Sequence, residues 1–124
     1  DFGEARYKDA AQRTFDYWRT HCGHGAPAWD FLDPEGPVDT SSSAIVIEQL
    51  ARMAVSDPNT DQQQFTAHLQ PMIEGLHEHM RPTGRLVNGC FNKPKEYATK
   101  SELIWGTAYM IMALSYLEEG RVIC

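Results

Sequence analysis

The chain has 124 residues, of which 42% are hydrophobic and 23% charged, so its composition is that of a globular protein rather than a disordered one. At this length we expect a single helical domain covering residues 1–124, because folding hides roughly two-thirds of the surface that the unfolded chain exposes. The formal net charge of -6 argues against a nucleic-acid partner, since phosphate backbones need a concentrated basic surface. No apolar run reaches the roughly eighteen residues that a membrane span requires.

The three cysteines, Cys22, Cys90 and Cys124, are an odd number in a chain that is rich in helix signals. This pattern favours free thiols in a reducing compartment over a disulfide framework. The opening Asp-Phe-Gly-Glu segment has neither the basic nor the apolar region of a signal peptide. A cytoplasmic location is therefore expected.

In chain order, the first predicted element is an amphipathic helix over residues 4–22, where apolar side chains recur at spacings of three and four. The connection that follows, residues 23–38, is longer than most helix connections, and its aromatic residues favour an ordered loop. A second helix is predicted from a cap at Asp39 or Thr40 to about Ser56. Its apolar residues cover far more than one stripe, so we expect it to be covered on several sides.

The third predicted helix follows a tight turn at residues 57–59. Thr60 or Asp61 provides its cap, and its apolar face continues to about residue 80. Pro71 lies inside this helix, and a proline ring removes one hydrogen bond and clashes with the preceding turn. We therefore expect the helix to be kinked or split in two.

The second long connection covers residues 81–100 and is predicted to form a short extended hairpin at residues 85–87. The most apolar helix of the chain then runs from Ser101 to Glu119. The predicted fold class is all-α, built from antiparallel helical hairpins without a convincing β-sheet.

The two long connections should lie at one end of the molecule, because the chain of an up-down helical array reverses at every loop. Each connection leads into a helix N-terminus, where free N–H groups and the helix dipole favour a carboxylate or a sulfate. The second and fourth helices also carry apolar surface suited to neighbours, so we expect a homo-oligomer or association with a partner.

The two connections supply the candidates for a binding site. An aromatic face suits the apolar side of a sugar ring, an amide can donate and accept, and an ammonium group suits an acid. The candidate substrate-binding residues are Trp29, Asp30, Phe91, Asn92 and Lys95. A solvated turn with a packed phenylalanine is the alternative for the second connection. Asp30 could accept a hydrogen bond or act as a general acid and base, whereas Asp39 is better explained as a helix cap.

Metal binding is not expected, and no cofactor is predicted. His21 and His24 straddle a helix end, while His77 and His79 point to different sides of a helix, and no second cysteine accompanies either pair at a zinc-ribbon interval. The serine-rich run at residues 41–43 lacks the Gly-x-Ser-x-Gly setting of a hydrolase nucleophile.

Taken in order along nearly the whole chain, four motifs resemble the unsaturated glucuronyl hydrolases of glycoside hydrolase family 88. The motifs are Ala28-Trp29-Asp30-Phe31, Asp39-Thr40-Ser41-Ser42-Ser43-Ala44, Gly89-Cys90-Phe91-Asn92 and Ile104-Trp105-Gly106. The resemblance implies that this chain corresponds to the C-terminal part of such an enzyme, and that its fold is part of an α/α toroid of six helical hairpins. It also implies that Phe91 stacks beside a sugar, with Asn92 and Lys95 near its polar or sulfated groups.

The resemblance further implies what the chain lacks. Enzymes of this family hydrate the vinyl ether of an unsaturated uronate with an aspartate as general acid and base. Neither those aspartates nor the family's Trp-Ala-Arg-Gly-Gln-Ala-Trp-like segment has a counterpart in these 124 residues. The chain also departs locally from the family: Thr107 stands for the usual Asp, Phe91 for Tyr, and Glu96 and Ala98 for Gly.

The prediction is a catalytically incomplete, glycosidase-like helical domain that binds an anionic, unsaturated uronyl oligosaccharide weakly. One alternative is a segment of an active hydrolase whose catalytic part is missing or supplied by another chain. The other is a structural helical module that mediates oligomerisation.

Overall fold

The computed structural model describes residues 5–22, 25–56 and 62–119, and these ranges are almost entirely helices and ordered connections. The α-helices in them are α1 (Ala5–Cys22), α2 (Thr40–Ser56), α3 (Gln62–His77) and α4 (Ile104–Glu119). A short 3-10 helix, Lys93–Lys95, lies between α3 and α4. The described ranges contain isolated antiparallel bridges but no β-strand, which confirms the predicted all-α class.

Helix α2 lies at the centre of the fold and packs against both α3 and α4. Its buried apolar residues recur at spacings of three and four, which places them on one face. They are Ala44, Ile47, Leu50, Ala51 and Ala54. The other helices contribute Trp18, Leu69, Met72, Leu76, Met110 and Ala113 to the same core. Burial of this shared face is what holds the helices together.

The starts of α2 and α4 lie side by side. A Cβ atom added to Gly106 in the first turn of α4 would lie 3.1 Å from the Cβ of Ser41 in the first turn of α2. Only a residue without a side chain fits this approach without displacing its neighbour. The connection after α3 also returns to this end, where the hydroxyl of Thr40 donates to the carbonyl of Val87 at 2.8 Å. Helices α2 and α3 are therefore antiparallel, whereas α2 and α4 are parallel.

Helix α4 begins at Ile104 rather than at the predicted Ser101. The backbone groups of Ser101 and Gly89 exchange two hydrogen bonds, at 2.9 and 3.0 Å. These bonds hold Ser101 in an extended pairing, so that its peptide groups are not available to the helix.

Helix α3 runs unbroken through Pro71, so the predicted split does not occur. Proline has no backbone N–H, so one hydrogen bond of the helix is missing, but the others remain in place. The helix ends at His77 rather than near residue 80, because Met80 pairs with Leu86. This pairing confirms the short hairpin predicted at residues 85–87. The predicted caps of α3 and the turn before it lie outside the described residues.

One side of α4 is apolar and exposed. Its outward-facing apolar residues, called here the α4 apolar face, are Ile104, Trp105, Ile111, Met112 and Leu114. Helix α2 is packed by α3 and α4, and Trp18 and Leu86 join the same core, so α2 is covered on more than one side, as expected, while Ile45, Met53 and Val55 lie on its exposed part. No helix within these ranges combines the length and the apolar character needed to cross a membrane.

Candidate functional site

The first connection, residues 25–39, is a hydrogen-bonded loop whose two arms run side by side. The amide of Trp29 donates to the carbonyl of Pro37 at 2.8 Å, and the amide of Asp39 donates to the carbonyl of Pro27 at 2.8 Å. These bonds close the loop at its base and confirm the prediction that this connection is ordered.

The predicted site residues Trp29 and Asp30 lie in the outer part of this loop. Trp29 is 37% exposed, and Asp30 is exposed as well. The Oδ1 atom of Asp30 accepts the amide hydrogen of Leu32 at 2.9 Å, which makes an Asx turn and occupies one carboxylate oxygen. The next residue, Phe31, stacks on His21 of α1 with ring centroids 5.1 Å apart. Phe31 therefore anchors the loop on α1, whereas Trp29 and Asp30 are exposed to solvent.

Residues 89–101 of the second connection form an antiparallel tongue. Gly89 pairs with Ser101 at its base, and Asn92 pairs with Tyr97 near its tip. The 3-10 helix Lys93–Lys95 makes the tip, and the Oδ1 atom of Asn92 caps it by accepting the amide hydrogen of Lys95 at 3.1 Å. The side-chain carbonyl of Asn92 is therefore already used, which leaves its NH₂ group as the donor for a ligand.

Three aromatic residues form an exposed cluster at the tongue, called here the aromatic cluster. The ring centroid of Phe91 lies 5.9 Å from that of Tyr97 and 5.8 Å from that of Trp105 at the start of α4. Their exposed fractions are 51%, 63% and 38%. Only Phe91 of the three was predicted as a site residue, since Tyr97 comes next to it through the pairing of the two arms of the tongue, which the sequence does not reveal. The contacts of Phe91 with Tyr97 and Trp105 fit both the predicted binding surface and the alternative of a solvated turn with a packed phenylalanine.

Three non-glycine residues of the second connection have a left-handed backbone. Their φ angles are 63° at Asn88, 50° at Glu96 and 51° at Ala98. Side chains other than those of glycine and asparagine are strained in this region. Positions 96 and 98 are the two at which the resembling family usually has glycine. At these two positions the tongue therefore has the positive φ that glycine adopts readily, although Glu96 and Ala98 are strained by it.

Replacing Ala98 by glycine should stabilise the protein. We expect the free energy of unfolding to rise by about 0.5–1 kcal/mol, because glycine adopts a positive φ without a Cβ clash. Ala11→Gly is the matched control: Ala11 is exposed within α1, where the same change should cost about 1 kcal/mol. Urea unfolding of both variants measures the difference, and a loss of stability in Ala98→Gly would contradict the strain.

The two connections meet at the start of α2. The Oδ1 atom of Asp39 accepts hydrogen bonds from the amide of Ser41 at 3.1 Å and from its hydroxyl at 2.7 Å, which confirms the predicted helix cap. The same oxygen accepts the amide hydrogen of Cys90 in the tongue at 3.2 Å. The amide of Thr40 also donates to the carbonyl of Asn88 at 3.3 Å. These bonds confirm that both connections lie at one end of the molecule.

Charge is distributed unevenly over the tongue. Lys93 forms an ion pair with Glu96 at 2.7 Å, and the hydrogen bond and charge of Glu96 raise the pKa of the lysine, with a smaller contribution from Asp33 of the first connection. Lys95 and Lys100 have no ion pair with any described residue. These two ammonium groups are the positive charges of the tongue that remain available to an anion.

The two cysteines within the described ranges are free thiols, as predicted, and Cys124 lies outside those ranges. Burial raises the pKa of Cys22 to about 11 despite hydrogen bonds to Ser43 and Gly25. Burial also raises the pKa of Cys90, and the negative charge of Asp39 adds to the effect. Neither thiol is therefore activated as a nucleophile.

No group of three or more histidine, cysteine, aspartate or glutamate residues that could hold a metal ion occurs in the described part of the chain. His24, one of the histidines weighed for such a site, lies outside it. The serine-rich start of α2 is used for hydrogen bonds within the fold, since the hydroxyl of buried Ser43 donates to the carbonyl of Gly25 at 2.9 Å.

The structure therefore brings Phe91, Asn92 and Lys95 together on the tongue and places Trp29 and Asp30 on the first connection. Among the described residues, no hydrogen bond, ion pair or ring contact joins the two groups. Their assignment to one binding site remains a prediction.

Comparison with known proteins gives a similarity in fold. No protein-family model and no curated protein sequence matches the chain. A solved structure does match: the unsaturated glucuronyl hydrolase of Bacillus sp. GL1, described as responsible for the degradation of glycosaminoglycan, with a TM-score of 0.80 and 24% identity. The chain has the fold of part of an α/α toroid. This similarity confirms the fold that the sequence motifs predict.

The coverage of the two chains is unequal. The alignment includes 95% of this chain but only 34% of the glucuronyl hydrolase. The chain thus spans about a third of the enzyme that it resembles, in agreement with the prediction that it corresponds to a part of such an enzyme. At this level of identity the similarity establishes the fold, and the activity of that enzyme is a separate question.

Proposed function

We propose that the chain is a glycosidase-like helical domain that binds an anionic, unsaturated uronyl saccharide at the tongue and does not itself carry the catalytic groups. The observation that carries this proposal is that the tongue bears both the exposed aromatic cluster and a lysine, Lys95, that has no ion pair with a described residue. The similarity in fold to a glucuronyl hydrolase supports the choice of ligand class.

The chemistry of the tongue suits a sugar that bears an acid. Phe91 and Tyr97 offer aromatic faces for the apolar C–H side of a pyranose ring, which is the usual way in which aromatic residues contribute to such sites. The NH₂ group of Asn92 can donate to a sugar hydroxyl, because only its Oδ1 atom is used in the cap. The ammonium group of Lys95 attracts a carboxylate or a sulfate. Together these groups provide stacking, orientation and charge.

Four carboxylates in and beside the two connections are engaged in other contacts. Asp39 accepts three hydrogen bonds through one oxygen, and Asp30 accepts one from Leu32. Glu96 is paired with Lys93, and Glu102 with Arg85 at 3.2 Å. This arrangement supports a binding role, because a general acid and base must be free to reach the substrate.

The α4 apolar face favours a second candidate function, in which the chain is a segment of an active hydrolase whose other parts pack on this face. If the chain is a segment of an active hydrolase, further helices of the toroid would cover this face, and the chain spans only 34% of the enzyme that it resembles. A homo-oligomer would cover it as well. Oligomerisation and the cytoplasmic location both stay predictions.

Replacing Lys95 by alanine should weaken saccharide binding. We expect the purified chain to bind an unsaturated uronyl disaccharide with a Kd of about 1 mM and Lys95→Ala to bind about fivefold to tenfold more weakly, because one charge-assisted contact is lost. Phe91→Leu, which keeps apolar bulk but removes the ring, should also bind more weakly. Calorimetric or NMR titration measures all three affinities.

Phe91→Tyr is the control for that series, because it keeps the ring and restores the hydroxyl usual in the resembling family. Its affinity should equal or exceed that of the unmodified chain. Absence of any binding would contradict the proposed function and favour a structural module. Loss of the conjugated absorbance of the disaccharide on mixing with the chain alone would instead show turnover, and the non-catalytic reading would then be wrong.

A further inference from the structure

The chain consists of two successive helical hairpins, α1–α2 and α3–α4, and in each the second helix is the more apolar one. These second helices, α2 and α4, pack side by side and in parallel. Both have few charges: α2 contains only Glu48 and Arg52, and α4 has no charged residue from Ile104 to Leu117. Helix α1, by contrast, is rich in charged residues. The pair α2–α4 is therefore an almost uncharged layer within an acidic protein.

Both outer sides of this layer expose uncharged surface. On one side lies the α4 apolar face, in which Ile104 is 79% and Ile111 57% exposed. On the other side, four uncharged and partly or largely exposed residues recur at spacings of four and three along α2, away from its buried face. They are called here the α2 edge and are Ser42, Val46, Gln49 and Met53. Arg52 is paired with buried Glu48 at 3.6 Å, so the two charges of α2 offset each other.

The α4 apolar face is too wide for a single covering helix. Ile104 and Ile111 lie on one side of it, whereas Trp105 and Met112 lie on another, since each pair is separated by seven residues and the two pairs by one. A helical hairpin offers two adjacent helices and can cover both sides. The hairpin α1–α2 of a second copy is such a partner, because its α2 edge is exposed and uncharged.

Association through these two surfaces is physically favourable. Burial of the exposed apolar side chains removes them from water, and apolar patches of this kind mark interaction surfaces in soluble proteins. Each copy has a net charge of -6, yet the contact brings no like charges together, because neither surface contains a charged residue. The contact also continues the α2–α4 packing that already exists within one chain.

The curvature of the fold determines how many copies complete the assembly. The chain matches part of an α/α toroid with a TM-score of 0.80 and spans 34% of that closed structure. A segment with the curvature of one third of a ring returns to its start after three steps. Contacts between two different surfaces of identical copies form closed rings when the rotation closes in this way.

We propose that three copies of this chain form a head-to-tail ring, in which the α4 apolar face of each copy packs on the α2 edge of the next. The inference goes beyond the proposed function, because none of these contacts involves a saccharide. An α4-to-α4 dimer is the competing arrangement, and it would leave the α2 edge uncovered.

Native mass spectrometry and analytical ultracentrifugation of the purified chain test the ring. We expect three times the mass of one chain, retained at high salt because the contact is uncharged. Ile111→Glu and Met53→Glu, each at a position more than half exposed, should be monomeric with unchanged helix content by circular dichroism. Leu32→Glu is the matched control: Leu32 is 89% exposed but lies outside both surfaces, so this variant should stay trimeric.

Mixing the two monomeric variants separates the ring from the competing dimer. Met53→Glu keeps an intact α4 apolar face and Ile111→Glu keeps an intact α2 edge, so an equimolar mixture should form a dimer with one unmodified contact. A monomeric or dimeric unmodified chain, or a Met53→Glu variant that still associates, would overturn the ring. Titration with the unsaturated uronyl disaccharide tests the proposed function separately, and monomeric variants that still bind it would leave that function standing.

Discussion

Asp39→Ala should lower the free energy of unfolding by about 2–4 kcal/mol. The substitution removes a helix N-cap, which costs about 0.5–2 kcal/mol, and leaves the amide of Cys90 without its acceptor, which costs about 1–3 kcal/mol. The two losses fall on one oxygen atom, because Oδ1 serves both the start of α2 and the tongue. Urea unfolding measures the total, and hydrogen exchange at Cys90 and Ser41 separates the two parts.

Two variants control this experiment. Asp39→Asn keeps a carbonyl oxygen in place of Oδ1 and should lose only about 1 kcal/mol, since the charge is removed but the acceptor remains. Asp30→Ala removes an exposed aspartate whose Oδ1 atom accepts a single hydrogen bond within its own loop, and it should cost less than about 1 kcal/mol. Equal losses for Asp30→Ala and Asp39→Ala would show that Asp39 does not join the two connections.

Leu86→Ala should cost about 2–5 kcal/mol, as large-to-small substitutions in a closely packed core do. Leu86 lies in a connection, yet it is only 1% exposed and belongs to the main hydrophobic core. Its side chain approaches Gly106 of α4, and its amide donates to the hydroxyl of Thr107 at 3.2 Å. The lower free energy of unfolding should therefore reflect both the cavity left in the core and a weaker attachment of the second connection to α4.

The same substitution at Leu32 is the matched control. Leu32 lies in the first connection and is 89% exposed, so Leu32→Ala should change the free energy of unfolding by less than about 0.5 kcal/mol. Thermal or urea unfolding of the two variants gives the comparison. Similar losses at Leu86 and Leu32 would mean that Leu86 does not act as a core residue.

The helices could be predicted from sequence because their signals are local. The three- and four-residue spacing of apolar residues predicted α1 and the apolar face of α3, the nearly continuous apolar stretches predicted α2 and α4, and the cap at Asp39 could be recognised from the serines that follow it. The errors at the ends of α3 and α4 arise where backbone pairing competes with the helix. Ser101 pairs with Gly89, a partner that periodicity does not reveal.

The site was predicted less completely, because its contacts connect distant parts of the chain. The bond between Asp39 and Cys90 joins residues 51 positions apart, and the ring contact of Phe91 with Trp105 depends on where α4 begins. The pairing of Asn92 with Tyr97 was the one feature that turn signals around Pro94 could have suggested.

The parallel arrangement of α2 and α4 concentrates electrostatic potential at the rim where the connections meet. Each helix carries a dipole equivalent to roughly half a positive charge at its first turn, and here two such ends are adjacent instead of alternating. Side-by-side dipoles of the same direction repel each other, and the carboxylate of Asp39 offsets part of that repulsion at the start of α2. A molecule with an overall charge of -6 can therefore present a locally positive end, whose attraction for anions weakens as ionic strength rises.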